Sequence, residues 1–280
     1  MKNHTRKKVG TIINVLVLTF CTLILLFPLY WMLVTALTPK SDLLNNTSLF
    51  ISFSRMTLAN IKKILSDGQI FTWFKNSGLV TLISTAISVT VSTLAAYSMS
   101  RFRYKANNAF GFFLLLVRML PESLLIVPLY IIFSKIGLID SHLSLIICDV
   151  AFVIPFAVWM LKGFFDSIPY SLEESAQIDG CTMVQAARLV VIPLTLPGVA
   201  SVAIYSAILN WSEYLFSRTF ITDPRNWMIT VGITSYMGEH NIIWGEIMAA
   251  AAISILPIIL IFVFLSKYLI SGMTAGAVKG

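Results

Sequence analysis

Six long apolar runs alternate with short polar segments along the whole chain. Each run holds about 22 to 27 residues, enough at 1.5 Å per residue to cross a hydrocarbon core of roughly 30 Å with some tilt. The runs are residues 11–37, 76–100, 109–133, 143–165, 198–220 and 244–270. The pattern predicts an all-α polytopic membrane protein with six transmembrane helices, forming a single domain over residues 1–280.

Two basic clusters predict the orientation of these helices. One cluster, residues 2–8, precedes the first run, and the other, residues 101–105, follows the second run. The first run is far longer than the 7–15-residue apolar core of a signal peptide, so we interpret it as an uncleaved span. Basic residues mark cytoplasmic ends of spans, so both termini and the polar interval 166–197 are expected on the cytoplasmic side.

The interval 166–197 is the longest polar stretch in the C-terminal half, and its residues predict two short helices. Ser171 and Glu174 have the spacing of a capping box, which predicts a helix over about 172–179. Gly180 follows at the position where a helix ends in the left-handed conformation.

A second helix is expected after this glycine corner. Thr182 and Gln185 repeat the capping pattern, and the helix is expected to run from Met183 to about Val191, ended by Pro193. Two interpretations remain open on spacing alone: a plain solvated loop, or a structured surface whose small residues let another protein approach the backbone closely.

Composition agrees with a membrane protein and excludes some classes. The chain is 57% hydrophobic and only 12% charged, whereas soluble domains carry about 25% charged residues. The net charge of +7 does not indicate a nucleic-acid partner, because the basic residues are scattered. The three cysteines are interpreted as unpaired apolar residues, and no metal site is expected.

Part of the polar interval resembles a known family. The run Glu174-Ser175-Ala176, three residues, Gly180, nine residues, Val190-x-Ile192-Pro193 is similar to the EAA loop of ABC-importer permeases, E-A-A-x3-G-x9-I-x-L-P. The chain departs from that pattern at Ser175, Val190 and Ile192, all small or aliphatic. The resemblance implies a coupling helix that contacts a separate ATPase subunit. The residues implied in this contact are Glu173, Glu174, Ser175, Ala176, Asp179, Gly180 and Pro193.

Other segments are similar to the carbohydrate branch of the same permeases. They include Ala95-Ala96-Tyr97 followed by Arg101-Phe102-Arg103, the Trp211-Ser212-Glu213 stretch and the C-terminal tail. In the tail, the resemblance implies a further ATPase contact by Thr274, Gly276, Lys279 and Gly280. It also implies a type I ABC-importer transmembrane domain in a bacterial cytoplasmic membrane, similar to the second, six-span permease subunit.

The same resemblance implies an assembly that imports a sugar or oligosaccharide. Its expected partners are a second homologous permease subunit, two copies of an ATPase subunit, an external substrate-binding protein and membrane lipid. ATP and Mg are expected on the ATPase, because this chain has no G-x-x-x-x-G-K-[ST] motif and no catalytic motif of its own. We therefore expect a subunit without catalytic residues.

Polar residues inside the spans are candidates for a substrate path, because charges in a membrane usually face a cavity or a partner. The candidates are Asn210, Trp211, Glu213, Asp149 and Glu122. Arg118 and Glu122 are four residues apart and are expected to pair. The alternatives are that these residues tie helices together or contact the second permease. In a different class of function, they would serve a self-sufficient ion-coupled transporter or an intramembrane enzyme.

Overall fold

The computed structural model describes residues 2–45, 56–102, 104–105, 107–238 and 242–265, and these residues are overwhelmingly helical. A single β-bridge joins Met237 and Ile242, and the described residues form no longer strand. The α-helices are α1 (Lys2–Ala36), α2 (Lys40–Asn45), α3 (Ala59–Ser66), α4 (Gln69–Arg101), α5 (Asn107–Arg118), α6 (Glu122–Lys135), α7 (His142–Asp166), α8 (Ser171–Ile178), α9 (Met183–Ala186), α10 (Ile192–Trp211), α11 (Leu215–Phe220), α12 (Ile229–Ser235) and α13 (Trp244–Ser254).

Five of the described helical segments are long and apolar enough to cross a membrane. They are Gly10–Ala36, Gln69–Arg101, His142–Asp166, Met183–Phe220 and Trp244–Leu265. A sixth crossing requires α5 and α6 together, and these two helices meet at an angle of 88°. The predicted third span, 109–133, is therefore a bent pair, and it is interrupted between Arg118 and Glu122, where the sequence places an arginine, a proline and a glutamate inside the apolar run.

The bend between α5 and α6 has a local cause. Pro121 lies at the N-cap of α6 with φ −63° and ψ 130°, outside the helical region, and proline has no amide hydrogen to continue a helix. Arg118 and Glu122 flank the break, and the Nη1 of Arg118 donates to Oε1 of Glu122 at 3.0 Å. The predicted pairing of these two residues is confirmed.

The predicted end of the second short helix is wrong. Helix α9 passes into a π-helical turn, Ala187–Val191, and then directly into α10, so Pro193 lies in the first turn of α10 and ends nothing. A proline in the first turn of a helix is tolerated because its missing amide has no partner there. The fifth span consequently begins before residue 198, and it is interrupted after Trp211 before α11.

The chain divides into two compact units. The first consists of Met1–Ile70 with Ile233–Ser254. Within it α13 packs against α1 and α3. The side-chain amide of Asn60 donates to the carbonyls of Ala36 and Thr38, both at 2.9 Å, and so joins α3 to the end of α1.

The second unit consists of Phe71–Gly232 with Ile255–Gly280, and it contains the polar interval 166–197 and the candidate path residues. Helix α7 packs against α5 and α10. Small hydroxyl residues on α4 are fully buried at Ser77, Ser84, Ser88 and Ser92. Such residues let membrane helices approach closely.

One end of the second unit is fastened by Asp140. Its backbone has φ 61°, and its carboxylate accepts hydrogen bonds from the amides of Thr222 and Asp223 and from the Thr222 hydroxyl. These bonds, led by the Thr222 hydroxyl, hold the pKa of Asp140 below its usual value. The turn between α6 and α7 is thereby tied to the segment that follows α11.

Candidate functional site

The polar interval folds as a helical corner, but its first helix begins differently from the prediction. Tyr170, not Ser171, lies at the N-cap of α8, with helical dihedral angles and no side-chain cap. Its carbonyl accepts from the amides of Glu173 and Glu174. Because the backbone already turns at Tyr170, Ser171 falls inside the first turn and cannot cap. The predicted Ser171–Glu174 capping box is wrong.

The end of α8 follows the prediction. Gly180 has φ +93°, a conformation that residues with a side chain rarely adopt. The amide of Cys181 donates to the carbonyl of Ala176, and the amide of Gly180 donates to that of Gln177, both at 3.0 Å. This is the paired bonding of a Schellman motif, which satisfies the last carbonyls of the helix.

The second capping box is confirmed. The hydroxyl oxygen of Thr182 accepts from the amide of Gln185 at 3.3 Å, and the side-chain oxygen of Gln185 accepts from the amide of Thr182 at 2.8 Å. Gly180 and this box together fix the angle between α8 and α9. The corner is a defined backbone structure rather than a plain solvated loop.

Helix α8 lies outside all the candidate spans, yet it presents apolar side chains to the surroundings. Leu172 is 41% exposed, Ile178 is 85% exposed, and Tyr170, directly before the helix, is 48% exposed. An apolar surface exposed on a segment outside the candidate spans is typical of a protein contact.

Most of the residues assigned to the ATPase contact are accessible in this corner. The exposed ones are Glu174, Ser175, Asp179, Gly180 and Pro193. Ala176 is half-buried. The tail residues Thr274, Gly276, Lys279 and Gly280 lie outside the described residues, as does Arg103.

Glu173 must be corrected, because it is fully buried within its own chain. Its Oε1 forms an ion pair with Nε of Arg101, and its Oε2 accepts from the hydroxyl of Tyr97 at 3.0 Å. The helical repeat turns Glu173 toward α4, while its neighbour Glu174 faces outward. Glu173 therefore does not belong to a surface that another subunit touches.

Most of the candidate path residues converge on one cavity of about 340 Å³. Its polar lining residues are Arg118, Glu122, Asp149, Asn210, Ser212, Glu213 and Tyr214. Of the predicted path residues, the structure brings together Glu122, Asp149, Asn210 and Glu213. Ser212 was missed as a lining residue, since a single serine within a span has no distinctive signal.

The carboxylates of this cavity are held in different ways. Glu213 caps α11, accepting from the amides of Phe216 and Ser217 and from the Ser217 hydroxyl. Asp149 accepts from the hydroxyl of Ser84 at 3.2 Å. The site thus offers three carboxylates, one guanidinium and one amide, a set that can accept from and donate to hydroxyl groups.

Trp211 does not line this cavity, which corrects its assignment. It is 6% exposed and contacts the ring of Phe74 edge-on, with 5.3 Å between ring centroids. It lines a separate apolar cavity of about 380 Å³. Tyr214 lies in the polar cavity instead, where Phe152 and Phe216 also supply aromatic rings.

The sequence pattern of a protein family, described as binding-protein-dependent transport system inner membrane component, matches residues 88–275. That range is more than half of the 280 residues. The chain belongs to this permease family. The resemblance of the Glu174–Pro193 run to an importer permease is thereby confirmed, and the chain is a permease subunit like its relatives.

Curated relatives of this permease cover nearly its whole length. The trehalose/maltose transport system permease protein MalG of Thermococcus litoralis is 32% identical over 283 residues, covering 100% of both chains. The sulfoquinovosyl glycerol transport system permease protein SmoH of Agrobacterium fabrum is 35% identical, covering 91% of this chain and 89% of the other. The diacetylchitobiose uptake system permease protein DasC of Streptomyces coelicolor is 30% identical, covering 91% and 92%.

A solved structure shares the fold. It is a crystal structure of a bacterial ABC transporter involved in the import of the acidic polysaccharide alginate, and it matches with a TM-score of 0.79. The match covers 93% of this permease and 96% of that chain, at 20% identity. The permease therefore has the fold of a type I ABC-importer transmembrane domain, and it is a multi-pass membrane protein.

Proposed function

We propose that this permease forms half of the translocation pathway of an ATP-driven importer for a sugar or oligosaccharide. Helix α8 is its coupling helix and lies against a separate ATPase subunit. The observation that carries the proposal is the fixed corner at Gly180, which holds exposed apolar side chains beyond all the candidate spans.

The proposed assembly follows from the family and from what this chain lacks. A second homologous permease subunit completes the pathway, two ATPase copies bind ATP and Mg, and an external binding protein delivers the substrate. Both termini and the α8 corner lie on the cytoplasmic side of a bacterial membrane. The C-terminal residues Thr274, Gly276, Lys279 and Gly280 make the second ATPase contact.

The polar cavity is the proposed substrate path. Its volume of about 340 Å³ lies within the range of small-molecule sites, roughly 300–1,000 Å³. Its carboxylates and the Asn210 amide can bind hydroxyl groups, and the ring of Tyr214 can cover a sugar face. The named substrates of the relatives, which are trehalose, maltose, diacetylchitobiose and sulfoquinovosyl glycerol, make a suitable uptake panel.

The assembly is tested by affinity purification of tagged full-length chain from its host membrane in mild detergent. We expect a second permease and an ATPase to be recovered, and Ile178→Asp to reduce ATPase recovery at least tenfold. Ile136→Asp is the matched control, because Ile136 is 60% exposed but lies at the turn after α6. Transport by the purified chain alone in liposomes, without ATP, would falsify the proposal.

A further inference from the structure

One guanidinium holds the coupling corner to two membrane helices. The Nε of Arg101, at the end of α4, forms the ion pair with Glu173 of α8. Its Nη1 donates to the carbonyl of Phe165 at 3.0 Å, and its Nη2 donates to that of Ile168 at 3.3 Å. Phe165 lies in the last turn of α7 and Ile168 follows its C-cap, so a single side chain joins α4, the end of α7 and α8.

The joint is closed to solvent and reinforced one helical turn away. The side chain of Arg101 is 5% exposed and that of Glu173 is 0% exposed. Tyr97, four residues before Arg101 on the same face of α4, donates to the second oxygen of Glu173. The ring of Tyr97 also packs edge-on against Phe165, with 5.7 Å between centroids.

A buried ion pair is weak evidence for stability, because apolar residues of similar volume often serve equally well. Its geometry is more informative. A planar guanidinium with five donors fixes both distance and direction to each acceptor, which a flexible point charge does not. Three elements held in this way move together rather than slide past each other.

We propose that Arg101 is the positioning residue that makes α4, α7 and α8 one mechanical body, so that displacement of α8 moves both spans. This inference rests on the proposed role of α8 as the coupling helix. Arg101 does not touch the ATPase or the substrate. It acts through Glu173 and the end of α7.

The donor arrangement makes the variants informative. Arg101→Lys keeps the charge but offers one nitrogen in place of the fork, so it is expected to behave nearly as badly as Arg101→Ala. Exchanging the two charges, Arg101→Glu with Glu173→Arg, is expected not to restore function, because the carbonyls of Phe165 and Ile168 would then face a carboxylate. Lys162→Ala is the matched control. Among the described residues, Lys162 forms its ion pair with Asp166 on α7, at 2.6 Å, and none with α8.

The first measurement requires no partner. A membrane-impermeant maleimide is added to detergent-solubilised membranes, and modification of Cys181 is followed by mass spectrometry. Cys181 follows α8 closely and is half-buried. We expect Arg101→Ala to increase its labelling rate at least threefold, and Lys162→Ala to leave it within a factor of 1.5. Equal rates in wild type and Arg101→Ala would show that the joint does not hold α8.

The second measurement uses the tagged assembly and the uptake panel. Arg101→Ala and Arg101→Lys are expected to recover ATPase within twofold of wild type and to hydrolyse ATP, while uptake of the transported panel sugar falls at least tenfold. Uptake within twofold of wild type would overturn the inference. If Arg101→Ala does not assemble, Tyr97→Phe and Glu173→Gln, which keep the packing, decide the matter by the same criteria.

Failure of the proposed function has a different signature. A wild-type chain that recovers no ATPase would overturn the role of α8, whatever the Cys181 labelling shows. The other outcome is a wild-type chain that recovers ATPase, with normal uptake in the variants Arg101→Ala, Arg101→Lys, Tyr97→Phe and Glu173→Gln. That outcome would overturn only the role of Arg101.

Discussion

Two arginine–glutamate pairs show how the same chemistry serves different ends in this permease. Arg118 and Glu122 are four residues apart, and their side chains are 29% and 37% exposed at the polar cavity. Arg101 and Glu173 are 72 residues apart, and their side chains are 5% and 0% exposed. The first pair bridges a break between two helices and borders a space. The second fills a joint between three helices and leaves no space.

The difference in sequence separation explains which of the two ion pairs could be predicted from the sequence. An i,i+4 spacing on a helix predicts contact wherever the helix lies. A contact between α4 and α8 depends on how the membrane helices pack, which no local spacing encodes. The sequence placed Arg101 in a basic cluster at the end of a span and in a segment similar to the carbohydrate-importer permeases, and neither observation indicates a partner on α8.

The largest expected effect is that of breaking the buried pair. Glu173→Ala leaves the guanidinium of Arg101 buried without its carboxylate, and we expect a loss of about 3–5 kcal/mol in the free energy of unfolding. Denaturant titration of the purified protein in mild detergent measures it. A loss under about 1 kcal/mol would place the pair in the same class as Arg118–Glu122.

Replacing both Arg101 and Glu173 separates the effect on stability from the effect on coupling between α8 and the spans. In Arg101→Met with Glu173→Leu no charge is left unpaired, so we expect the loss to shrink to about 2 kcal/mol, mainly from the carbonyls that lose their donor. Uptake of panel sugars should remain as low as in Arg101→Ala. Recovery of uptake along with stability would mean that filling the joint is sufficient.

Asp140 is intermediate between the two arginine–glutamate pairs in its expected effect on stability, because among the described residues its carboxylate is held by hydrogen bonds and not by an ion pair. Because those bonds lower its pKa, its contribution to stability is present above the unfolded value of about 3.9 and is lost as the pH falls through the lower folded value. Asp140→Asn tolerates the same backbone conformation and should cost about 1 kcal/mol near neutral pH. Thermal unfolding between pH 6 and pH 3 should show a shallower decline in the variant.

The smallest expected effect is at the cavity pair. Glu122→Gln removes a partly exposed i,i+4 ion pair, and the expected loss of stability is about 0.5 kcal/mol or less. Transport is the more sensitive readout, since Glu122 lines the proposed path. A stability loss comparable to that of Glu173→Ala would remove the distinction between the two pairs.

The fold was largely predictable because a membrane leaves few choices. Spans of apolar residues must be helical, so their approximate positions follow from hydropathy. The bend at Pro121 and the continuation through Pro193 show what hydropathy does not decide. A proline breaks a helix or begins one according to the conformation of the residues before it, and this is set by packing.

The site was predictable where the signal was local. Thr182 and Gln185 form the expected box because the chain turns out of helix before Thr182, whereas Tyr170 already has helical dihedral angles and removes the same option from Ser171. Asn210 and Trp211 are adjacent in sequence, yet the first lines the polar cavity and the second an apolar one. A helix turns about 100° per residue, so only the packed structure decides which neighbour faces the path.

Helix α9 passes into α10 without a loop between them, so a rotation of the corner tilts α10 as one rod. Helix α10 spans 20 residues, or roughly 30 Å, from Ile192 near the corner to Trp211, the residue after Asn210 at the cavity wall. A tilt of about 5° in a rod of that length displaces its far end by roughly 2.6 Å. A tilt that is too small to disturb the packing at the Ile192 end of α10 therefore displaces the cavity end by about the length of a hydrogen bond to a sugar.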